Sequence, residues 1–273
     1  GRAWLQSSNE PTPPSSPLQR AAAANALNRS AQSESLLVSI IQSDPKSETA
    51  RKAHLLLSRI YLRSGQYARL LANLDEWSRA FPDSADVRKE KADLEQFRGL
   101  PDQINAPRAA VTLTHGDGKD FAAPVVINGK PANYLMDTGA WLSVMTEREA
   151  KRLGVPIRAG TGMLGESSGK GVRARFGVAK DLALGSMTFH DVSFAILPDE
   201  EPWRSMPTGR GGIIGVPILL KLGCIRWTKG GSWEIGCGSN PTTQSSPNLV
   251  FFENHILLST MVSGTRVFGA LDT

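Results

Sequence analysis

The sequence predicts a multidomain chain of helices followed by a β lobe, and three observations carry that reading. From Leu18 to about Leu100 apolar residues recur at helical spacing, as in Leu36, Leu37, Ile40 and Ile41. From Arg108 onward the pattern turns to strand-like alternation, punctuated by turn dipeptides such as Asn128-Gly129 and Gly185-Ser186. Between them, Gly99 to Pro107 holds two prolines and little apolar content, which places a domain boundary there. The expected layout is a disordered linker at 1–17, a helical domain at 18–100, a β lobe at 108–238, a linker at 239–248 and the start of a further lobe at 249–273. A length of 273 residues suits two domains at roughly 150 residues each.

The elements follow in order. Gln6 to Pro17 is rich in Ser, Pro, Asn and Thr and cannot bury a core. Ala21 to Ala26 favours helix, and Asp44-Pro45 breaks the next one. Ala53 to Pro82 carries Leu57, Tyr61, Gly65, Tyr67, Leu74 and Trp77. These spacings resemble one tetratricopeptide repeat, with Gly65 in the turn between two helices and Pro82 closing the second. His54 stands where the repeat opens on Trp, and Ser58 follows Leu57. The resemblance implies a docking groove for a partner protein or for the chain's own lobe; a plain helical bundle fits the same residues. Asp83 to Phe97 reads as a third amphipathic helix.

In the lobe, Val125–Ile127 and Ala132–Met136 flank Asn128-Gly129, the signature of a tight hairpin that delivers Asp137 at its end. Thr146 caps a helix to Leu153, with Glu149 three residues on as in a capping box and Gly154 past its end. Val172 to Val178 alternates like a strand, and Val178–Leu184 with Met187–Leu197 reads as another hairpin. Pro198 to Arg210 is a polar loop in which Trp203 and Met206 could line a cleft or pack the loop down. Gly212-Ile213-Ile214-Gly215 precedes a helix with Pro217 at its start and Gly223 past its end. A two-residue Gly230-Gly231 turn would pair Lys229 with Ser232 and set Cys224 opposite Cys237. That pair is either a disulfide, which implies an oxidising compartment, or two buried free thiols.

The chemistry centres on Tyr134-Leu135-Met136-Asp137-Thr138-Gly139-Ala140. An Asp at the end of a buried strand must have its charge shared or hydrogen-bonded. Asp-Thr-Gly alone also fits a structural strand-end turn. Together with Gly212-Ile213-Ile214-Gly215 and its helix, and with a Gly-rich segment between the two motifs, it resembles the retropepsin-type aspartic peptidases over roughly 108–238. The resemblance implies an all-β acid-protease lobe with one short helix after the Ile-Ile-Gly strand. It makes Asp137 catalytic, with Thr138, Gly139 and Ser143 supporting it. Ala140, Ile213, Ile214 and Gly215 would wall the cleft. Thr161 to Phe176 would be the flap, with Met163, Leu164, Gly165, Glu166, Ser167 and Gly169. Two departures stand out. Trp141 and Val216 occupy positions where the retroviral pattern has an Asp–Arg pair, and the flap lacks the Tyr of pepsin-type enzymes.

Such a mechanism needs two carboxylates. Val125 through Thr138 aligns without a gap on Thr260 through Thr273, with Gly129, Asp137 and Thr138 falling on Gly264, Asp272 and Thr273. Read as a repeat, this begins a second lobe in the manner of pepsin, with Asp272 as partner carboxylate and Thr273 bracing it. Chance similarity between two strand-turn-strand segments, or a homodimer supplying a second Asp137 across a two-fold axis, is the alternative.

Other classes fit less well. Gly160-Thr161-Gly162-Met163-Leu164-Gly165 matches a dinucleotide fingerprint, and Gly165 to Gly169 a serine-hydrolase elbow, but a strand follows where each needs a helix. His54, His115, His190 and His255 are not spaced as metal ligands and read as surface or turn residues, so no metal and no cofactor is expected. The net charge of +5 is scattered, without basic runs interleaved with aromatics, so nucleic acid is not an expected partner. No stretch is long and apolar enough to span a bilayer. The start at Gly1 suggests a removed N-terminal segment, such as a membrane anchor, and a periplasmic or otherwise extracytoplasmic location. The expected function is an aspartic endopeptidase acting on peptide or protein substrates, with the helices as docking or regulatory module. The competing reading is a non-catalytic peptide-binding or dimerisation scaffold.

Overall fold

The computed structural model describes residues 16–103, 110–114, 121–160, 162–165, 171–201, 203–228, 232–236, 248–252 and 255–271. The chain divides into two compact units, one of Gly1–Leu62, Arg69–Leu94 and Gln244–Asp272, the other chiefly Glu95–Thr243 with Arg63–Ala68. No helix among the described residues is long and apolar enough to cross a membrane.

In the first unit, α1 (Pro17–Ala26) starts one residue inside the expected linker. Ser16 Oγ accepts the Gln19 N–H at 3.2 Å, and Gln19 Oε1 accepts the Ser16 N–H at 3.1 Å, a reciprocal cap with Pro17 at the first helical position. Helices α2 (Ser30–Ser43), α3 (Glu48–Ser64), α4 (Tyr67–Ala80) and α5 (Ala85–Leu94) follow, then a 3-10 turn at Glu95–Phe97. Gly65 has φ +69° between α3 and α4, a left-handed turn residue.

His54 corrects the sequence reading. It is fully buried, not a surface residue. Its Nδ1 lies 2.7 Å from Asn73 Oδ1, while Asn73 Nδ2 donates to the His54 carbonyl and to Ser58 Oγ, both at 2.9 Å. The ring stacks on Trp77 at 6.0 Å. The two departures from the repeat pattern, His54 and Ser58, are thus joined through one buried Asn. Burial lowers the basicity of His54, only partly opposed by Asn73 and Glu76, so the ring is held toward its neutral form.

The same unit holds a three-stranded antiparallel sheet of β11 (Leu249–Phe252), β12 (His255–Val262) and β13 (Thr265–Ala270).

The lobe is built on β2 (Ala122–Ile127), β3 (Lys130–Met136), β4 (Ser143–Thr146), β5 (Gly162–Gly165), β6 (Gly171–Leu184), β7 (Met187–Leu197) and β8 (Gly212–Ile214). The sheet order is β2-β3-β8-β4-β7-β6-β5, and β2 also pairs with β6. That pairing closes six strands into a barrel and leaves β5, the outermost strand of this sheet among the described residues, as an extension along β6. The interior is packed by Val125, Ile127, Tyr134, Met136, Phe189, Phe194 and Ile214, each at most 2% exposed. Helix α6 (Glu147–Leu153) follows β4, and α7 (Val216–Leu219) follows β8.

Strand β6 runs unbroken for 14 residues where the sequence suggested a division at Val178. Gly177, in the middle of the strand, is needed for space. A Cβ would meet Val155 Cγ1 at 2.9 Å and the Pro156 carbonyl at 3.0 Å.

A second small sheet joins β1 (Val111–Thr114), β10 (Ser232–Ile235) and β9 (Ile225–Trp227). Its register pairs Trp227 with Trp233 and Ile225 with Ile235. Cys224 therefore faces Gly236, whose N–H donates to the Cys224 carbonyl at 2.8 Å, and not Cys237 as a two-residue turn would require. Cys224 is disulfide-bonded. Cys237, the other cysteine of the sequence, lies outside the described residues, as do residues 229–231.

Candidate active site

Asp137 leaves β3 into a turn that β8 pins from both sides. β3 pairs in parallel with β8 (Leu135 with Ile213, Met136 with Ile214), and β4, on the far side of the turn, pairs antiparallel with the same strand (Val144 with Ile213). The strand entering and the strand leaving the Asp loop are thus bridged by Gly212–Ile214. Backbone bonds extend the clamp. The Asp137 N–H donates to Ile214 O at 3.1 Å, and the Val216 N–H to Ala140 O at 2.8 Å. Buried Ser143 accepts the Gly215 N–H on its hydroxyl at 3.1 Å.

The carboxylate is oriented from within. Asp137 Oδ1 accepts the Gly139 N–H at 2.7 Å and the Ala140 N–H at 3.1 Å. Both donors exist because Thr138-Gly139 turns tightly back over the side chain. The glycines of β8 have spatial reasons. A Cβ on Gly215 would overlap the Leu142 and Ala140 carbonyls, and one on Gly212 would overlap the Tyr134 ring. Asp137, Thr138, Ala140 and Ile213 are half-buried, Gly139 is exposed and Ile214 is buried. At the two positions that depart from the retroviral pattern, Val216 is buried and Trp141 half-buried.

β5 and β6 form an antiparallel hairpin with Gly162 opposite Ala174, Leu164 opposite Val172 and Gly165 opposite Gly171. Gly160 to Gly165 thus runs into a strand and not a helix, and 166–169 of the second Gly-rich match lie outside the described residues. Met163 on it is 57% exposed. Glu166, Ser167 and Gly169 lie outside the described residues, and so do Asp272 and Thr273.

The hairpin β12–β13 nevertheless copies β2–β3 position for position. Val262 pairs with Thr265 where Ile127 pairs with Lys130, and Leu257 with Ala270 where Ala122 pairs with Leu135. The turns agree as well, with φ +49° and +79° at Ser263-Gly264 against +49° and +76° at Asn128-Gly129. Two successive positive φ values make both turns type I′.

Glu149 is the residue that sequence reasoning misplaced. Thr146 Oγ1 accepts the Glu149 N–H at 3.1 Å as expected, but the Glu149 carboxylate does not return to complete a capping box. It is fully buried and binds Arg152 Nη2 at 2.6 Å, the Gly209 N–H at 3.0 Å and the Tyr134 hydroxyl at 3.5 Å. Burial alone would raise its pKa. The Arg152 hydrogen bond and the Gly209 N–H, with the charges of Arg152 and Arg148, outweigh that and hold it below the ordinary carboxylate value. Arg148 reaches the same loop, donating to the Met206 carbonyl at 2.8 Å. The loop that feeds β8 is therefore fastened to α6 by two charged side chains. One signal was available in the sequence: Glu149 stands one turn before buried Leu153, on the helix's apolar phase.

Residues 123–218 match the family model described as "Aspartyl protease". That match covers about a third of the chain and takes in both the Asp137 loop and the Gly212–Gly215 segment. The chain is also similar to solved structures at low overall superposition. A retropepsin-like aspartic protease from Rickettsia conorii is 14% identical, with a TM-score of 0.35, covering 48% of this chain and 92% of that one. The EIAV protease, complexed with the inhibitor HBY-793, is 27% identical with a TM-score of 0.30, covering 41% and 95%. The retroviral protease-like domain of Ddi1 from Leishmania major is 17% identical with a TM-score of 0.28, covering 44% and 93%. No curated protein sequence matches the chain.

Proposed function

We propose that the chain is an aspartic endopeptidase in which Asp137 is one carboxylate of a two-Asp dyad. The observation that supports this best is the Asp137 loop itself, a carboxylate oriented by the Gly139 and Ala140 N–H groups on a turn clamped by Gly212–Gly215. Two carboxylates about 3 Å apart cannot both ionise, so the pair shares one proton and titrates with two macroscopic pKa values. One then accepts a proton from water as the water attacks the scissile carbonyl, while the other donates its proton to the carbonyl oxygen. The tetrahedral diol collapses as the leaving amine is protonated, and no covalent enzyme intermediate forms. Ile213 and Ile214 pack behind the loop, and Thr138 braces it.

The second carboxylate is Asp272. Support comes from the β12–β13 hairpin, which repeats the register and turn of the hairpin leading to Asp137. On this reading 249–273 opens a second lobe, and the helices of the first unit serve as a docking or regulatory module. The disulfide at Cys224 supports an oxidising, extracytoplasmic compartment such as the periplasm.

The test is peptide cleavage. The full chain is incubated with a diverse peptide mixture between pH 4 and 7, and products are identified by mass spectrometry. Cleavage that disappears in Asp137→Asn supports the enzyme. Cleavage retained in that variant rejects Asp137, and no cleavage by the unaltered chain favours a peptide-binding or dimerisation scaffold.

A further inference from the structure

The geometry points to Gln96 as a positioning residue for the β5–β6 hairpin, a role that rests on reading this hairpin as the flap over Asp137. Gln96 lies outside the segment 123–218 that carries the family match, in the 3-10 turn before the lobe.

Residues 95–103 form a strap fixed on the barrel at two points. Phe97 is buried, with its ring 5.6 Å from Phe176 of β6 and 5.1 Å from Tyr67. Gln103 is buried and binds β7. Its Oε1 accepts the Ser193 N–H at 3.2 Å, and its Nε2 lies 3.3 Å from Ser193 Oγ. The Gln103 N–H also donates to Gly65 O at 2.8 Å. A residue adjacent to Phe97 is therefore held in place before it touches the hairpin.

Gln96 Nε2 donates to the Met163 carbonyl at 3.2 Å. Its carboxamide also fills the place where a side chain at position 162 would begin, because a Cβ built on Gly162 overlaps Gln96 Oε1. Gly162 has no left-handed φ, so its lack of a side chain serves space and not backbone freedom. Among the described residues β5 is the outer strand of its sheet and pairs only with β6. One side chain from the strap thus tethers this outer strand. The hairpin's resting position is set by the strap as well as by its own ladder, which places Gln96 upstream of substrate capture and away from the bond-breaking atoms.

A double-mutant cycle tests this without requiring activity. Amide hydrogen exchange is followed at 162–165 and 171–174 in Gln96→Ala, Gly162→Ala and the double variant, with β7 amides as the control for global folding. Gln96→Ala is expected to speed exchange on β5 about tenfold, the equivalent of one hydrogen bond, and to leave β7 unchanged. Gly162→Ala should do the same, because the new Cβ evicts the carboxamide. The double variant should be no looser than either single one. Gln96→Glu keeps the size but loses the donor, and should loosen β5 like Ala. Where the unaltered chain cleaves peptides, these variants should raise KM and leave kcat within about twofold. Unchanged β5 exchange in Gln96→Ala, or fully additive effects in the double variant, would overturn the proposal. Absence of cleavage would bear only on the peptidase reading, since exchange reports the tether independently.

Discussion

The hairpins at 122–136 and 255–270 share a register and a turn but not an environment. In the first, the face that carries Val125, Ile127, Ala132 and Tyr134 is the barrel's interior, and all four are at most 8% exposed. In the second, the corresponding positions are Thr260, Val262, Val267 and Gly269; Val262 is 54% and Val267 38% exposed. The comparison separates two causes that are usually confounded. Register and turn follow from local chemistry, since a positive-φ residue followed by Gly fixes a type I′ turn and hence every cross-strand pair. Burial follows from what else packs on the sheet.

Substitutions at matched positions sharpen this. Ile127→Asp places an unpaired charge in the barrel and is expected to unfold the lobe, a loss of more than about 4 kcal/mol. Val262→Asp, its counterpart, should change stability by less than about 0.5 kcal/mol. Urea denaturation of both variants checks the contrast, and equal effects would break it.

The next largest effect concerns a feature the first hairpin has and the second does not show. Tyr134 of β3 reaches buried Glu149, which pairs with half-buried Arg152, whereas Gly269 stands at its matched position. Arg152→Met keeps most of the volume and strands a buried carboxylate, at a cost of about 3–5 kcal/mol. The pH dependence has a definite sign. Because the folded-state pKa of Glu149 is depressed, the unfolded chain binds the proton more readily. Its stabilisation is complete above the unfolded value near 4.5 and is lost as pH falls through the folded one. Denaturation midpoints between pH 3 and 6 should show this slope in the unaltered protein and a weaker one in Arg152→Met.

The turns give the smallest effects. Asn128 adopts φ +49° and its amide also donates to the Leu153 and Gly154 carbonyls at 3.1 and 3.2 Å. Asn128→Ala should cost about 1–2 kcal/mol through both losses. Ser263 adopts the same φ, so Ser263→Gly should gain about 0.5 kcal/mol, read from the thermal midpoint.

What was legible in the sequence was chiefly local. Asn128-Gly129, the Asp137 turn, the Thr146 cap and the Gly212–Gly215 strand announce themselves within a few residues, and the structure builds each where expected. What was hidden depends on distant partners. His54 reads as a surface residue because Asn73, which makes its burial tolerable, is 19 residues away. Glu149 reads as a cap because its second partner, Gly209, comes from the loop before β8. Cys224 faces Gly236 and not Cys237 because Thr228, not Lys229, pairs with Ser232, a one-residue shift that Gly230-Gly231 does not reveal. Gln96 gave no signal, since its meaning lies in the absent side chain of Gly162.

The measurement that tests the central claim most directly is the rate of peptide cleavage as a function of chain concentration, for the unaltered full chain, Asp137→Asn and Asp272→Asn. Two carboxylates in one chain predict a specific rate independent of concentration that collapses in both variants. A specific rate that rises with concentration and survives Asp272→Asn would contradict the repeat and assign the second carboxylate to Asp137 of another copy. Activity that survives Asp137→Asn would contradict the account as a whole.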